Sequence, residues 1–179
     1  NAERLKSLSG EMDRQAAILR SLQAGRLPVM AARTLRSLRQ HQKDAGLRVI
    51  GTISLFAYEA MAGVRFNADS TSTADVDILV DDRNRLRLAS EDGNFIGLSK
   101  LVQSTVDKTF AARGPSDFRL TNDRGYMIEF VRPQPDPIYR PMPGSEPLEE
   151  GDVVPVQVPG LKWLVNAPVR LCLLYTSDA

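Results

Sequence analysis

The segment Asp75-Val76-Asp77-Ile78-Leu79-Val80 has the aliphatic and β-branched content of a buried strand, yet it carries two acids at alternate positions. Strand side chains alternate between faces. Asp75 and Asp77 therefore point the same way, with Cα atoms roughly 6.5–7 Å apart. Val76 and Ile78 point to the other face and can fill a core. Two ionised carboxylates side by side repel, and burying them unpaired is expensive. The arrangement becomes favourable when a divalent cation sits between them; the alternative is a solvated strand face. A calcium loop does not fit, because Ile78, Leu79 and Val80 stand where further oxygen ligands would be needed.

Composition narrows the chemistry. The chain has 179 residues, a length that suits one domain, or one domain with a helical appendage. Cys172 is its one cysteine and His41 its one histidine. An intramolecular disulfide is thus impossible, which fits a reducing, cytoplasmic setting. Zinc sites built from Cys and His are excluded, so a bound metal should be hard and oxygen-liganded. His41 sits in the polar helix end "LRQHQKDAG" and reads as a solvated residue. No apolar run approaches the ~20 residues that span a bilayer, and the opening "NAERLKSLSGEMDRQ" is polar, unlike a secretory signal. Without an initiator Met the chain reads as a processed or cloned fragment. Charge is uneven: residues 1–50 hold ten Lys or Arg against four Asp or Glu, and the remainder thirteen against eighteen. A basic helical segment can meet nucleic acid or an acidic protein; the plainer reading is a solvated helix face.

Residues 2–24 show helical spacing, with Leu5, Leu8, Met12, Ala16 and Leu19 at steps of three and four and Gly25 as a stop. A second helix is expected from Pro28 to Gly46, with Val29, Ala32, Leu35 and Leu38 on one face. Residues 47–50 read as a short strand, Gly51-Thr52 as a tight turn and 53–62 as an apolar helix ended by Gly63. Residues 65–74 read as a polar loop, 75–80 as a strand, and 98–113 as a helix. The stretches 117–122 and 125–133 read as strands, and Asn122-Asp123-Arg124-Gly125 between them as a hairpin turn. The proline-rich 133–160 reads as loop with a short edge strand, and "LKWLVNAP" as amphipathic. The order implies an α/β (α+β) domain over 47–168, a small mixed sheet flanked by helices, after a helical extension over 1–46. Residues 169–179 read as a non-native or truncated tail, so Cys172 and Tyr175 carry no functional weight.

Two features sharpen the reading of the acid pair. Glu129 stands at the centre of the apolar strand "YMIEFV", where burial alone would favour a hydrophobe. If that strand lies beside the Asp strand, a third carboxylate joins the first two, and three convergent acids can hold two metals. In "VIGTISLF", Gly51 permits close backbone approach. Thr52 can cap the helix and present a hydroxyl, and free N–H groups at the helix start favour phosphate.

Strand, Gly-Thr turn, helix, Asp-x-Asp strand and a later strand with one acid resemble the nucleotidyltransferase superfamily typified by DNA polymerase β. "GTISLFAYEAMAGVRF", "STADVDILVDDRNRL", "VDKTF", "FRLTNDRGYMIEFVRP" and "LKWLVNAP" look like a bacterial group of nucleotidyltransferase-fold proteins of undefined substrate, over about residues 28–168. The resemblance implies that Gly51 and Thr52 hold nucleotide phosphates, and that Asp75, Asp77 and Glu129 bind two Mg²⁺ (or Mn²⁺) ions. In it Glu129 also helps to activate the attacking hydroxyl. The implied reaction moves a nucleoside monophosphate from an NTP to a hydroxyl of a protein, RNA or small molecule, releasing pyrophosphate. Glu129 replaces the commoner Asp, and Thr52 the commoner Ser. Related chains continue past "LKWLVNAP" into a helical region that shapes the base and acceptor pocket.

Several further residues carry expectations. Tyr58 reads as packing and Trp163 as a core anchor. Glu59 is expected to pair with an N-terminal Arg. Asp81 and Asp82 read as solvated strand-end acids, and Lys100 and Lys108 as solvated helix residues within reach of a triphosphate. Arg83, Arg85 and Arg87 could line a cleft. Two alternatives to the transferase remain at this point. One is a non-catalytic binding module, such as a toxin–antitoxin component, with Arg33, Arg36 and Arg39 on its partner surface. The other is a phosphate-hydrolysing enzyme using the same acids.

Overall fold

The computed structural model describes residues 2–21, 26–41, 46–81, 97–114, 117–134 and 152–167. Expectations for Gly25, Asp82, Arg83, Arg85, Arg87, the stretch 135–151, Cys172, Tyr175 and the 169–179 tail lie outside these residues. So do those for the side chains of Ala16, Leu19 and His41. The described elements run α1 (Ala2–Ser21), α2 (Val29–His41), β1 (Leu47–Ile50), a 3₁₀ turn (Thr52–Ser54), α3 (Leu55–Ala62) and α4 (Ala68–Thr71). They continue with β2 (Asp75–Val80), α5 (Leu98–Thr105), β3 (Arg119–Thr121), β4 (Met127–Pro133), β5 (Val156–Val158) and α6 (Lys162–Asn166). None of the described helices is long and apolar enough to cross a membrane.

The strands form one mixed five-stranded sheet in the order β1-β2-β4-β3, with β5 also paired to β4. β1 is antiparallel to β2, β2 parallel to β4, β3 antiparallel to β4, and β5 parallel to β4. This is the small mixed α/β sheet expected from the sequence. The hairpin is set by Asn122: its Oδ1 accepts from the N–H of Arg124 and of Tyr126, and its own N–H donates to Tyr126 O.

One face of the sheet carries the main core. Val76, Ile78, Val80, Leu120, Ile128 and Phe130 are buried there with Ala31, Leu35 and Leu38 of α2 and Leu98, Leu101 and Val102 of α5. Ser37 of α2 and Thr105 of α5 join their hydroxyls across the layer. The buried stripe of α2 starts from Ala31; Val29, expected on it, is 67% exposed. On α1, Leu5, Leu8 and Met12 are exposed.

The other face is divided along its length. Its far half holds Leu79 and Val131 beneath Val165 of α6, with Ile50, Val158, Leu161 and Leu164 around them. Arg48 donates to Leu164 O (2.9 Å) and to Ala167 O, anchoring α6 by its last carbonyls. The helix therefore turns Val165 inward and leaves Trp163 67% exposed, so Trp163 is not the core anchor the sequence suggested.

Other expectations are corrected. The polar loop contains one helical turn, α4, capped by Asn67 accepting from Asp69 N–H. The helix expected over 98–113 stops at Thr105, because Asp107 captures the N–H and hydroxyl of Thr109 and Ala111 then bridges to Thr121. Lys108 consequently lies in that exposed turn and Lys100 on exposed helix surface. Asp81 is buried, not solvated: its N–H donates to Gly46 O, and Gly46, at φ 63°, leaves no room for a Cβ beside it (2.9 Å to Asp81 Cβ). Tyr58 is 53% exposed and does not pack. Glu59 does pair with an N-terminal arginine, Arg26, at 3.0 Å.

Asp152 ties the segment before β5 to α5. Its buried carboxylate accepts the N–H of Leu98 (2.8 Å) and of Ser99 (2.8 Å), and the Ser99 hydroxyl. These are orphan donors of a helix start, satisfied from a distant part of the chain. Asp152→Ala should cost about 3 kcal/mol, since charge-assisted bonds are lost and buried N–H groups are stranded. Urea unfolding will show it as a lower midpoint with an unchanged slope.

Candidate active site

The near half of the divided face, left uncovered by the α6 cluster, is where the acids stand. In the parallel β2–β4 ladder Asp77 is the register partner of Glu129, and Asp75 that of Met127. Register partners share a sheet face, so Asp75, Asp77 and Glu129 lie together, with Glu129 about one strand spacing (~4.8 Å) from Asp77. All three predicted acids are thus brought onto one surface. Asp75 accepts a hydrogen bond from the Thr73 hydroxyl, which fixes its carboxylate. Glu129 pairs with Arg119 of β3, its register partner on the other side, at 3.4 Å. The Arg119 guanidinium also lies over the Phe118 ring, 4.5 Å from the centroid.

The Gly51-Thr52 turn closes the site from β1. Ile50 is the register partner of Asp77, so the chain leaves β1 beside that carboxylate. Gly51 has φ 66°, and a Cβ on it would lie 2.0 Å from Asp77 Oδ2. Both the backbone conformation and the contact require glycine there. The helix start differs from expectation. Gly51, not Thr52, occupies the cap position, no side chain caps it, and a 3₁₀ turn precedes α3. The Ser54 hydroxyl donates back to Gly51 O at 2.6 Å. The N–H groups of Thr52 and Ile53 precede the first turn bond, from Ser54 N–H to Gly51 O.

The electrostatics follow from this crowding. Burial first, then the charges of Asp75 and Glu129, push the Asp77 carboxyl up from 3.8 to about 6. Tyr126, whose buried hydroxyl has no partner among the described residues, is pushed up to about 12 by burial and by the charge of Asp75. The donor set is all oxygen and rich in like charge, which suits a hard divalent cation. Among the described residues no three acids, His or Cys are closed into an ion cage as they stand. Here the third acid, Glu129, is engaged by Arg119.

A family model described as a nucleotidyltransferase matches residues 30–179. The chain belongs to this nucleotidyltransferase family. No curated protein and no solved structure matches it. Its activity class is accordingly nucleotidyl transfer, and the nucleotidyltransferase match covers every residue of the acid face and the Gly51-Thr52 turn.

Two residues of the site were not singled out from the sequence. Thr73 sits two positions before Asp75, a spacing at which a hydroxyl commonly reaches a neighbour. Arg119 was readable from the hairpin: pairing Asn122 with Tyr126 sets Arg119 opposite Glu129.

Two outcomes follow for this nucleotidyltransferase. Its Asp77 carboxyl titrates higher folded (about 6) than unfolded (3.8), so folding takes up a proton between those values. Metal-free stability is therefore lost as pH rises through that window. In EDTA, Asp77→Asn should exceed the wild type by about 1 kcal/mol near pH 7.5, after allowance for solvent screening, and by less near pH 5. Parallel urea titrations at the two pH values read the gap directly. Gly51→Ala should cost about 1–3 kcal/mol through its positive φ and displace the Asp77 carboxylate. Thermal melting will register the first effect, and an altered pH dependence of stability the second.

Proposed function

We propose that this nucleotidyltransferase is metal-dependent and moves a nucleoside monophosphate from an NTP to a hydroxyl acceptor, releasing pyrophosphate. The observation that carries this reading is the sharing of one sheet face by Asp75, Asp77 and Glu129, with Gly51 seated against Asp77. In this reading Asp75 and Asp77 hold Mg²⁺ or Mn²⁺, Glu129 completes the ligand set, and two ions are held in all. Such ions would polarise the transferring phosphoryl group and lower the pKa of the attacking hydroxyl.

The protein's own groups then have distinct tasks. Thr73 fixes the Asp75 carboxylate, so that it need not be ordered at the moment of reaction. Gly51 allows the backbone to approach, and the N–H groups of Thr52 and Ile53 lie where the NTP phosphates would be received. Glu129 orients the acceptor hydroxyl and takes up its proton as the bond to phosphorus forms. The single cysteine supports a cytoplasmic setting, and the basic surface of α1 and α2 is offered to a protein or nucleic-acid acceptor, although a small molecule fits the same chemistry.

The test is thermal melting with Mg²⁺ or Mn²⁺, with and without each NTP, alongside pyrophosphate release. A metal-dependent rise in Tm on adding one NTP, absent from Asp77→Asn, is expected; a hundredfold excess over Kd corresponds to about 2.7 kcal/mol. Glu129→Gln should retain most of the NTP-induced shift and lose at least about 100-fold in turnover, the usual scale for a missing general base. Equal turnover in Asp77→Asn would refute the assignment.

A further inference from the structure

We infer that Arg119 is an exchangeable counterion that holds Glu129 away from the metal-binding pair, so that a divalent cation must displace this arginine to recruit the third carboxylate. The inference rests on the metal-dependent reading above and deepens it.

Three observations support it. First, the row across the sheet runs Ile50, Asp77, Glu129, Arg119 in register, so Glu129 stands between a carboxylate and a guanidinium. It can turn either way. Second, the pair is a single 3.4 Å contact, with the side chains 33% and 20% exposed. A partly solvated, one-point ion pair is weak and exchanges readily. Third, the guanidinium already lies over the Phe118 ring while it pairs with Glu129, so loss of the carboxylate does not strand a bare cation.

The consequence has a definite sign. A residue that merely supported the site would weaken metal binding when removed. A counterion that competes with the metal does the opposite. Its removal frees Glu129 and also deletes a positive charge next to the incoming cation. Arg119 is thus a positioning residue: it decides when Glu129 joins Asp75 and Asp77.

The experiment titrates Mn²⁺ into the full chain, without nucleotide, and reads free ion by electron paramagnetic resonance. Arg119→Gln should bind Mn²⁺ roughly two- to fivefold more tightly than the wild type, the fold-change that corresponds to losing a partly exposed pair. It should also show the larger Mn²⁺-induced rise in Tm. Arg119→Lys, which keeps the charge, should return most of the way to the wild-type affinity. Arg124→Gln, which removes an exposed charge at the hairpin turn, should leave it unchanged. Equal or weaker Mn²⁺ binding by Arg119→Gln overturns the inference, as does equal tightening by Arg124→Gln. Both results leave the metal-dependent reading intact. If neither the wild type nor Arg119→Gln binds Mn²⁺, that reading falls and the inference falls with it.

Discussion

Asp77 has two neighbours that govern what the rest of the molecule must do. Across the parallel ladder stands Glu129, and at the end of β1 stands Gly51, close enough to exclude a side chain. A carboxylate wedged between another carboxylate and a backbone turn is partly buried and crowded by like charge, and burial first, then the charges of Asp75 and Glu129, raise its pKa. The sheet around it must be held rigidly, because a one-residue slip of β2 against β4 would send the acids to the other face and into the main core.

The fold meets this requirement by treating the two faces of β2 and β4 differently. One face is apolar at Val76, Ile78 and Val80 and at Ile128 and Phe130, and packs on α2 and α5. The other is apolar in its far half only, where α6 covers Leu79 and Val131. Arg48 and Asp152 then fix helices that the sheet alone would not hold, one by the carbonyls of α6 and the other by the first N–H groups of α5. The acids occupy the remaining half, beside two apolar clusters that pin the register. A region that is costly by itself is supported by a core that does not share its chemistry.

Much of this was legible in the residues. β2 shows it best. "DVD" alternates and "ILV" does not, and the burial follows: alternate in the first half, continuous in the second. The same change of period appears in β4 around Glu129. The Asn122 turn fixed the β3–β4 pairing, and Gly51 marked the close approach. Two of the misses turn on partners distant in sequence, and a third on a local competition. Trp163 is large and apolar, but which side of a five-residue helix faces the sheet depends on Arg48, which binds Leu164 O from 116 residues away. Asp81 looked like a strand-end acid, but Gly46 folds back upon it. The helix after Leu98 stopped early because the side chain of Asp107 competed successfully for the local N–H and hydroxyl of Thr109.

The sequence by itself determined the strands, their faces, the hairpin register and the identity of the acids, because each depends on periodicity or on turn chemistry within a few residues. Only the tertiary structure decided that β4 lies beside β2 in parallel, which brings Glu129 to Asp77 and so sets the Glu129–Arg119 pair beside the two aspartates. That order could not be read locally, because β2 and β4 are joined by a crossover. Their adjacency is set by how α2 and α5 cover one shared apolar face, a balance of packing over the whole sheet and not a property of any one segment.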